Sequence, residues 1–150
     1  MIQPLVEQHI LLGKDLVVLF ESVQEFFVAT TESGEVIGCG ALHVFWEDLG
    51  EVRTLTVSPK YQKKGVGHAL LEALEAEARR LGLARLFCLT FEKEFFAQHG
   101  FTHHDDLLVD PDVYVELVRS PDEGVAEFLD LARVKPNTLG NSRLVKNLTD

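Results

Sequence analysis

Val57-Ser58-Pro59-Lys60-Tyr61-Gln62-Lys63-Lys64-Gly65-Val66-Gly67, residues 57–67, is the stretch on which the fold turns. Before it, EVRTLTV (51–57) reads as a β-strand. After it, Gly65 to Leu81 reads as a helix. Val66, Leu70, Leu74 and Leu81 form an apolar stripe with Ala69 and Ala73 beside it, while Glu72, Glu75, Arg79 and Arg80 are expected to face away. Gly82 stands where a C-terminal helix cap belongs. A strand, a short loop and a helix opening at paired glycines make an anion cradle. The first helical turn carries N–H groups without internal partners, and the helix dipole is positive there. Gly65 and Gly67 place no side chain between those amides and a phosphate. Lys63 and Lys64 add positive charge.

Working outward, EFFVAT (25–30), a turn at Ser33-Gly34 and VIGCGALHVFW (36–46) read as a hairpin. A turn at Glu47 to Gly50 leads into 51–57, where Val52, Thr54 and Thr56 alternate with Arg53, Leu55 and Val57. The first 24 residues read as helical: Leu5, Ile10, Leu12, Leu16, Val18 and Leu19 suggest buried faces, and Gly13 divides two short helices. Downstream, ARLFCLT (84–90) is a buried strand. Glu92 to His99 is a short helix closed by Gly100, and Phe101 begins another strand. Pro111 opens a helix over 111–119. EFLDLARV (127–134) and RLVKNL (143–148) read as late strands, with turns at Pro136-Asn137 and Gly140-Asn141. The expectation is one α+β domain over 1–150, with a central, mostly antiparallel sheet flanked by helices.

Bulk properties exclude several classes. The formal net charge of −10 argues against a nucleic-acid surface. Any anionic ligand must therefore meet a local cationic cluster, of which Lys60, Lys63 and Lys64 form the densest. No apolar run approaches the ~20 residues needed to span a bilayer. MIQPLVEQHI lacks the basic start and cleavage site of a secretory leader. Cys39 and Cys88 lie in apolar surroundings without a CxxC pair, as expected of buried, reduced thiols. A cytoplasmic location follows as an expectation. His103-His104-Asp105-Asp106 has the composition of a metal patch, but adjacent strand residues point to opposite faces and converge poorly on one ion, so no metal is expected.

A Walker loop would need GxxxxGK[ST], which is absent. A Rossmann fingerprint would need a third glycine where His68-Ala69 stand, within a parallel repeat. QKKGVG instead resembles the Q/R-x-x-G-x-G/A loop by which GNAT acetyltransferases grip the pyrophosphate of coenzyme A. EKEFFAQHGF (92–101) is similar to the short GNAT helix ending in aromatic-x-x-x-G-F. The segments EFFVA, GCGALHV, DLGEVRTLTV, LTFEKEFFAQHGF and VAEFLDLARVKPNTLGNSR together resemble the short, single-domain N-acetylglutamate synthases. That resemblance implies acetyl transfer from acetyl-CoA to the α-amine of L-glutamate, the first step of arginine biosynthesis. It is the sole basis for the substrate. Glutamine, another amino acid, a protein N-terminus, or a non-catalytic acyl-CoA-binding role stay open beside it. GNAT domains usually begin with a strand, and residues 1–24 contain no strand-like segment. An exposed sheet edge of that kind favours a homodimer.

The chemistry needs a base for the ammonium, a donor for the oxyanion and a proton for the leaving thiolate. The resemblance points to Glu51 as base, with Glu92 second. It assigns Leu55, Thr56 and Val57 to the pantetheine arm and oxyanion, and Gln62, Lys63, Lys64, Gly65, Val66, Gly67 and His68 to the pyrophosphate. Phe96 is expected against the cofactor. The tyrosine that many GNATs use as acid is replaced in the Phe95-Phe96 region, leaving water, a backbone donor or His99. For the carboxylates of the amino acid, Arg53, Lys135, Asn141, Ser142 and Arg143 are the candidates.

Overall fold

The computed structural model describes residues 16–104, 108–122, 125, 128–129 and 142–148. The main helices and strands run in the order α1 (Leu16–Glu21), β1 (Phe26–Thr30), β2 (Val36–Trp46), β3 (Leu49–Val57), α2 (Val66–Arg80), β4 (Arg85–Thr90), α3 (Lys93–Ala97), β5 (Thr102–His103), α4 (Pro111–Leu117) and β6 (Ser142–Asn147). The strands form one sheet in the order β1-β2-β3-β4-β6-β5. Every neighbouring pair is antiparallel except β3–β4, which α2 joins as a parallel crossover. The expected α+β architecture with a mostly antiparallel sheet is therefore present. No described helix is long and apolar enough to cross a membrane.

β1 and β5 at the sheet's edges carry no buried residue, but its centre is covered on both faces. On one, Leu71, Leu74 and Ala78 of α2 and Phe96 of α3 pack on Leu42, Val52 and Leu86. On the other, Leu117 of α4 and Phe128 pack on Phe45, Leu49 and Phe87. The three phenylalanines of this second core meet at centroid distances of 4.7 to 5.0 Å.

Four expectations change. The inward face of α2 carries Leu70, Leu71, Leu74, Glu75 and Ala78, whereas Leu81 is exposed. Glu75 turns inward because Lys146 of β6 meets it there, with Nζ 3.0 Å from Oε1. No described residue of α1 is buried, so Leu16, Val18 and Leu19 do not form the expected buried face; Leu5, Ile10, Leu12 and Gly13 lie outside the described residues. β3 begins at Leu49, so the turn before it is the tighter Glu47-Asp48 pair. Of the stretch 127–134, only Phe128 and Leu129 are described, and both are helical rather than extended. Phe128 is drawn into the second core, which a helical turn satisfies without a sheet partner.

Candidate active site

The parallel ladder between β3 and β4 holds three pairs: Leu49 with Arg85, Gly50 with Leu86, and Glu51 with Phe87. Yet β3 continues to Val57 and β4 to Thr90. The two strands therefore part after Glu51. Backbone groups of residues 52–57 that do not face β2 look into a cleft, where an extended ligand can pair with them as an added strand would.

The upper half of β3 carries a bulge that the sequence alternation misses. Cys39 opposes Thr56 and Ala41 opposes Arg53, so Gly40 faces one residue too many. Thr54 absorbs the extra residue at φ 55°, an unusual conformation for a β-branched side chain. Its carbonyl accepts the Cys39 thiol at 3.6 Å. The bulge reverses the facing of everything after it. Gly50 and Val52 lie on the α2 face, while Leu49, Glu51 and Arg53 lie on the Phe128 face. Strict alternation would send Leu55 with Arg53. Instead Leu55 packs in the α2 core, with Cδ1 2.9 Å from where a side chain on Gly40 would start.

At the cleft's α2 end lies the helix start where the sequence places an anion cradle. Gly65 is the N-cap of α2 at φ 87°, and no side chain caps the helix. The first intrahelical bond runs from the Ala69 N–H to the Gly65 carbonyl, 3.0 Å, leaving the amides of Val66, Gly67 and His68 as the helix's unpaired donors. Lys63 also has positive φ, 61°. Lys63 and Lys64 are exposed; Lys60 and Lys64 place their ammonium groups 5.4 and 5.6 Å from the Tyr61 ring centroid. Gln62 does not plug the turn: its Nε2 donates to the Val57 carbonyl at 3.2 Å and ties the loop to the end of β3. Space for a side chain at Gly67 ends at the Phe95 ring, 3.3 Å away, and at Val57, 3.7 Å away. Phe95 is thus the α3 ring beside the cradle, whereas Phe96 is buried in the core edge-on to Phe95 and Phe101.

On the opposite face, Glu51 is buried despite its charge. Arg53 Nε donates to Glu51 Oε2 at 2.6 Å, and its two Nη atoms donate to Asp122 at 2.6 and 3.0 Å. Burial would lower the Arg53 proton affinity; Glu51 and Asp122 outweigh it and raise it further. Burial alone would raise Asp122, but the bonds and charge of Arg53 hold it below the ordinary carboxylate range. Three of the guanidinium nitrogens are thus committed within the chain. Arg143, facing Leu89 across β6–β4, donates to the Phe128 carbonyl and lies over the Phe128 ring at 4.5 Å. Ser142 is buried beside it.

Arg53, Leu55, Thr56 and Val57 thus lie on the part of β3 beyond the ladder, with Glu51 at its last pair, and Gln62 to His68 form the loop and first turn that open α2. Glu92 stands apart as the exposed residue before α3, where its N–H donates to Thr90 Oγ1 at 2.8 Å. Lys135 and Asn141 lie outside the described residues. Two features escaped the sequence reading. Asp122 could have been noticed as a helix N-cap, since its Oδ1 accepts the Val125 N–H at 3.0 Å. The contact of His68 with His99, 31 residues on, has no local signal. Among the described residues, no group of three His, Cys, Asp or Glu side chains could hold a metal.

Comparison with known proteins gives the family and the fold. A model of the acetyltransferase (GNAT) family matches residues 6–103. The amino-acid acetyltransferase of Mycobacterium tuberculosis (strain ATCC 25618 / H37Rv) is 56% identical over 138 residues, 91% of this chain and 79% of that protein. The crystal structure of Rv2747 from Mycobacterium tuberculosis, in complex with CoA, superposes with a TM-score of 0.91 at 54% identity, covering 99% of this chain and 92% of that one. N-acetylglutamate synthase from Neisseria gonorrhoeae, complexed with coenzyme A and N-acetyl-glutamate, gives a TM-score of 0.77 at 30% identity, covering 99% of this chain but 31% of that one. The chain likewise spans about a quarter of the length of the Neisseria and Pseudomonas amino-acid acetyltransferases that it matches.

Proposed function

The chain belongs to the acetyltransferase (GNAT) family, and on that premise we propose that it transfers acetyl from acetyl-CoA to the α-amino group of L-glutamate. The observation that carries this reading is the conjunction of an uncapped helix start at Val66–His68 with a parallel strand pair that parts after Glu51 and Phe87. The first offers amides to a diphosphate. The second offers an unpaired strand edge to the pantetheine arm. Similarity to an amino-acid acetyltransferase and to an N-acetylglutamate synthase supports the choice of amino acid over other amines.

Under this reading the two reactants enter from opposite faces of the sheet and meet through the cleft. Gln62 to His68 hold the diphosphate, with Lys63 and Lys64 supplying charge. Residues 55–57 pair with the pantetheine arm, and those of their N–H groups that do not face β2 donate to the carbonyl oxygen as it becomes an oxyanion. Glu51, on the amino-acid face, takes a proton from the ammonium, directly or through one water. Its burial and the absence of a comparable setting at Glu92 favour Glu51 of the two. The free amine attacks the thioester carbon, the C–S bond breaks, and the coenzyme leaves as a thiolate. α3 offers it no phenol, because Phe95 and Phe96 stand there; the second proton, released by the amine nitrogen as the amide forms, reaches the thiolate through water. Arg143 and Ser142, with Lys135 and Asn141 of the preceding segment, hold the carboxylates of glutamate.

Thiol release from acetyl-CoA, measured against the twenty amino acids, tests the proposal. L-Glutamate is expected to give the highest kcat/KM. Faster turnover of glutamine or another amine would reassign the substrate, and binding of acetyl-CoA without turnover on any of them would make the chain a non-catalytic acyl-CoA binder.

A further inference from the structure

Asp122 belongs to no motif of the sequence, yet it ends a chain of three charges that begins at Glu51. Its carboxylate grips Arg53 with both oxygens: Oδ1 lies 2.6 Å from Nη2 and Oδ2 3.0 Å from Nη1. Asp122 is itself held on its own side. Oδ1 accepts the Val125 N–H at 3.0 Å, and the Asp122 N–H donates to Ser120 Oγ at 3.2 Å. A guanidinium is planar and its donors are fixed in a fork. Once both Nη atoms are engaged, the Nε–H points in one direction, and Glu51 Oε2 stands there at 2.6 Å. Solvent competes weakly, since the Arg53 and Glu51 side chains are 9% and 6% exposed.

We propose that Asp122 is a positioning residue of the transfer reaction, acting through Arg53 on Glu51. It fixes the rotamer in which Arg53 meets Glu51 through Nε alone. Its negative charge also offsets part of the guanidinium charge that Glu51 would otherwise face in full. This rests on the role proposed above for Glu51 as base. Among the described residues, other charged or titratable groups near Glu51 are His43, directly opposite on β2, the Cys88 thiol of β4, next to the register partner Phe87, and Arg143 of β6, on the same Phe128 face. Burial, and then the charge of Glu51, push that thiol up, so it stays neutral. His43 is bonded to Glu25 at 2.8 Å. Among these groups Asp122 alone subtracts from the Arg53 charge while bonded to it.

The test is the pH dependence of the full-length enzyme and of Asp122→Asn and Asp122→Glu. Asparagine is as good an N-cap as aspartate, so D122N retains the Val125 bond while losing the charge. In D122N the acidic limb of log kcat is expected to move to lower pH by about half a unit or more, because Glu51 then faces the full guanidinium charge. With that limb, kcat falls by about threefold as the base weakens, while KM for acetyl-CoA stays within about twofold. D122E restores most of both. A fall in kcat at an unmoved limb would reduce Asp122 to a structural support, and an unchanged kcat and limb would remove it from the reaction; either overturns the proposal. A carbon-13 NMR titration of the Glu51 carboxyl in both proteins gives the same answer without turnover. An unmoved midpoint in D122N contradicts the coupling even if no amino acid proves to be a substrate, whereas a moved midpoint in an inactive enzyme leaves the coupling standing and rejects the proposed reaction.

Discussion

His68 Nδ1 and His99 Nε2 meet at 2.6 Å, joining the first turn of α2 to the turn that follows α3, with Phe95 tilted against both rings. A bond this close needs at least one neutral imidazole. Burial, and then His68, lower the proton affinity of His99 below its ordinary 6.5; Lys146 adds to this, and Glu75 and Glu72 oppose it. The unfolded chain binds that proton more readily than the folded one. The contribution to stability is therefore present above the unfolded value and is lost as the pH falls from 6.5 through the folded one. The melting temperature should drop on acidification from neutrality, and His99→Gln, which keeps a hydrogen-bonding partner for His68, should flatten that drop. Equal slopes in the two proteins would mean that the pair has no titrating role. Asp122, held below the ordinary 3.8, makes its own loss only at lower pH, so the two can be told apart.

Gly67→Val should weaken acetyl-CoA without unfolding the chain. The new side chain would start 3.3 Å from Phe95 and 3.7 Å from Val57, and its branches would fill the approach to the amides of α2. KM for acetyl-CoA is expected to rise by about tenfold or more, equivalent to ~1.4 kcal/mol of lost binding, with a smaller change in the amino-acid KM. Equal changes in both would argue that the residue supports the fold rather than the cofactor.

Gly50→Ala makes the opposite separation. A methyl group there would lie 2.7 Å from Leu83, 3.0 Å from Leu86 and 3.1 Å from Leu42. Overpacking of this kind costs about 1–3 kcal/mol. Denaturant unfolding should report that loss, and kcat measured well below the new melting temperature should change little.

Arg143→Ala should raise the amino-acid KM by about tenfold or more while leaving that for acetyl-CoA within about twofold, the mark of a lost charge-assisted contact to a carboxylate. Its contacts with Phe128 mean that some stability is lost as well, so the comparison is made at a temperature where both proteins are folded.

The parts of the molecule legible in the sequence are those whose causes are local. Glycines at 65 and 67, the proline at 59 and the stripe of α2 sit within one helix length of each other, and the cradle follows from them. The unread parts depend on distant partners. Asp122 reaches Arg53 across 69 residues, and Lys146 turns Glu75 inward across 71. The bulge at Thr54 has no glycine to announce it; the glycine that makes room is Gly40, on the neighbouring strand. That displacement matters most for function, because it separates the face carrying Glu51 and Arg53 from the face on which Leu55 packs.

Titrating CoA into nitrogen-15-labelled protein tests the heart of the matter most directly. The amide signals of Val66, Gly67 and His68 should shift downfield together with those of residues 55–57, and a fragment lacking the diphosphate should leave the first group unmoved while still shifting the second. Saturable CoA binding that leaves both groups of amides in place would contradict the assignment of this cleft to the coenzyme.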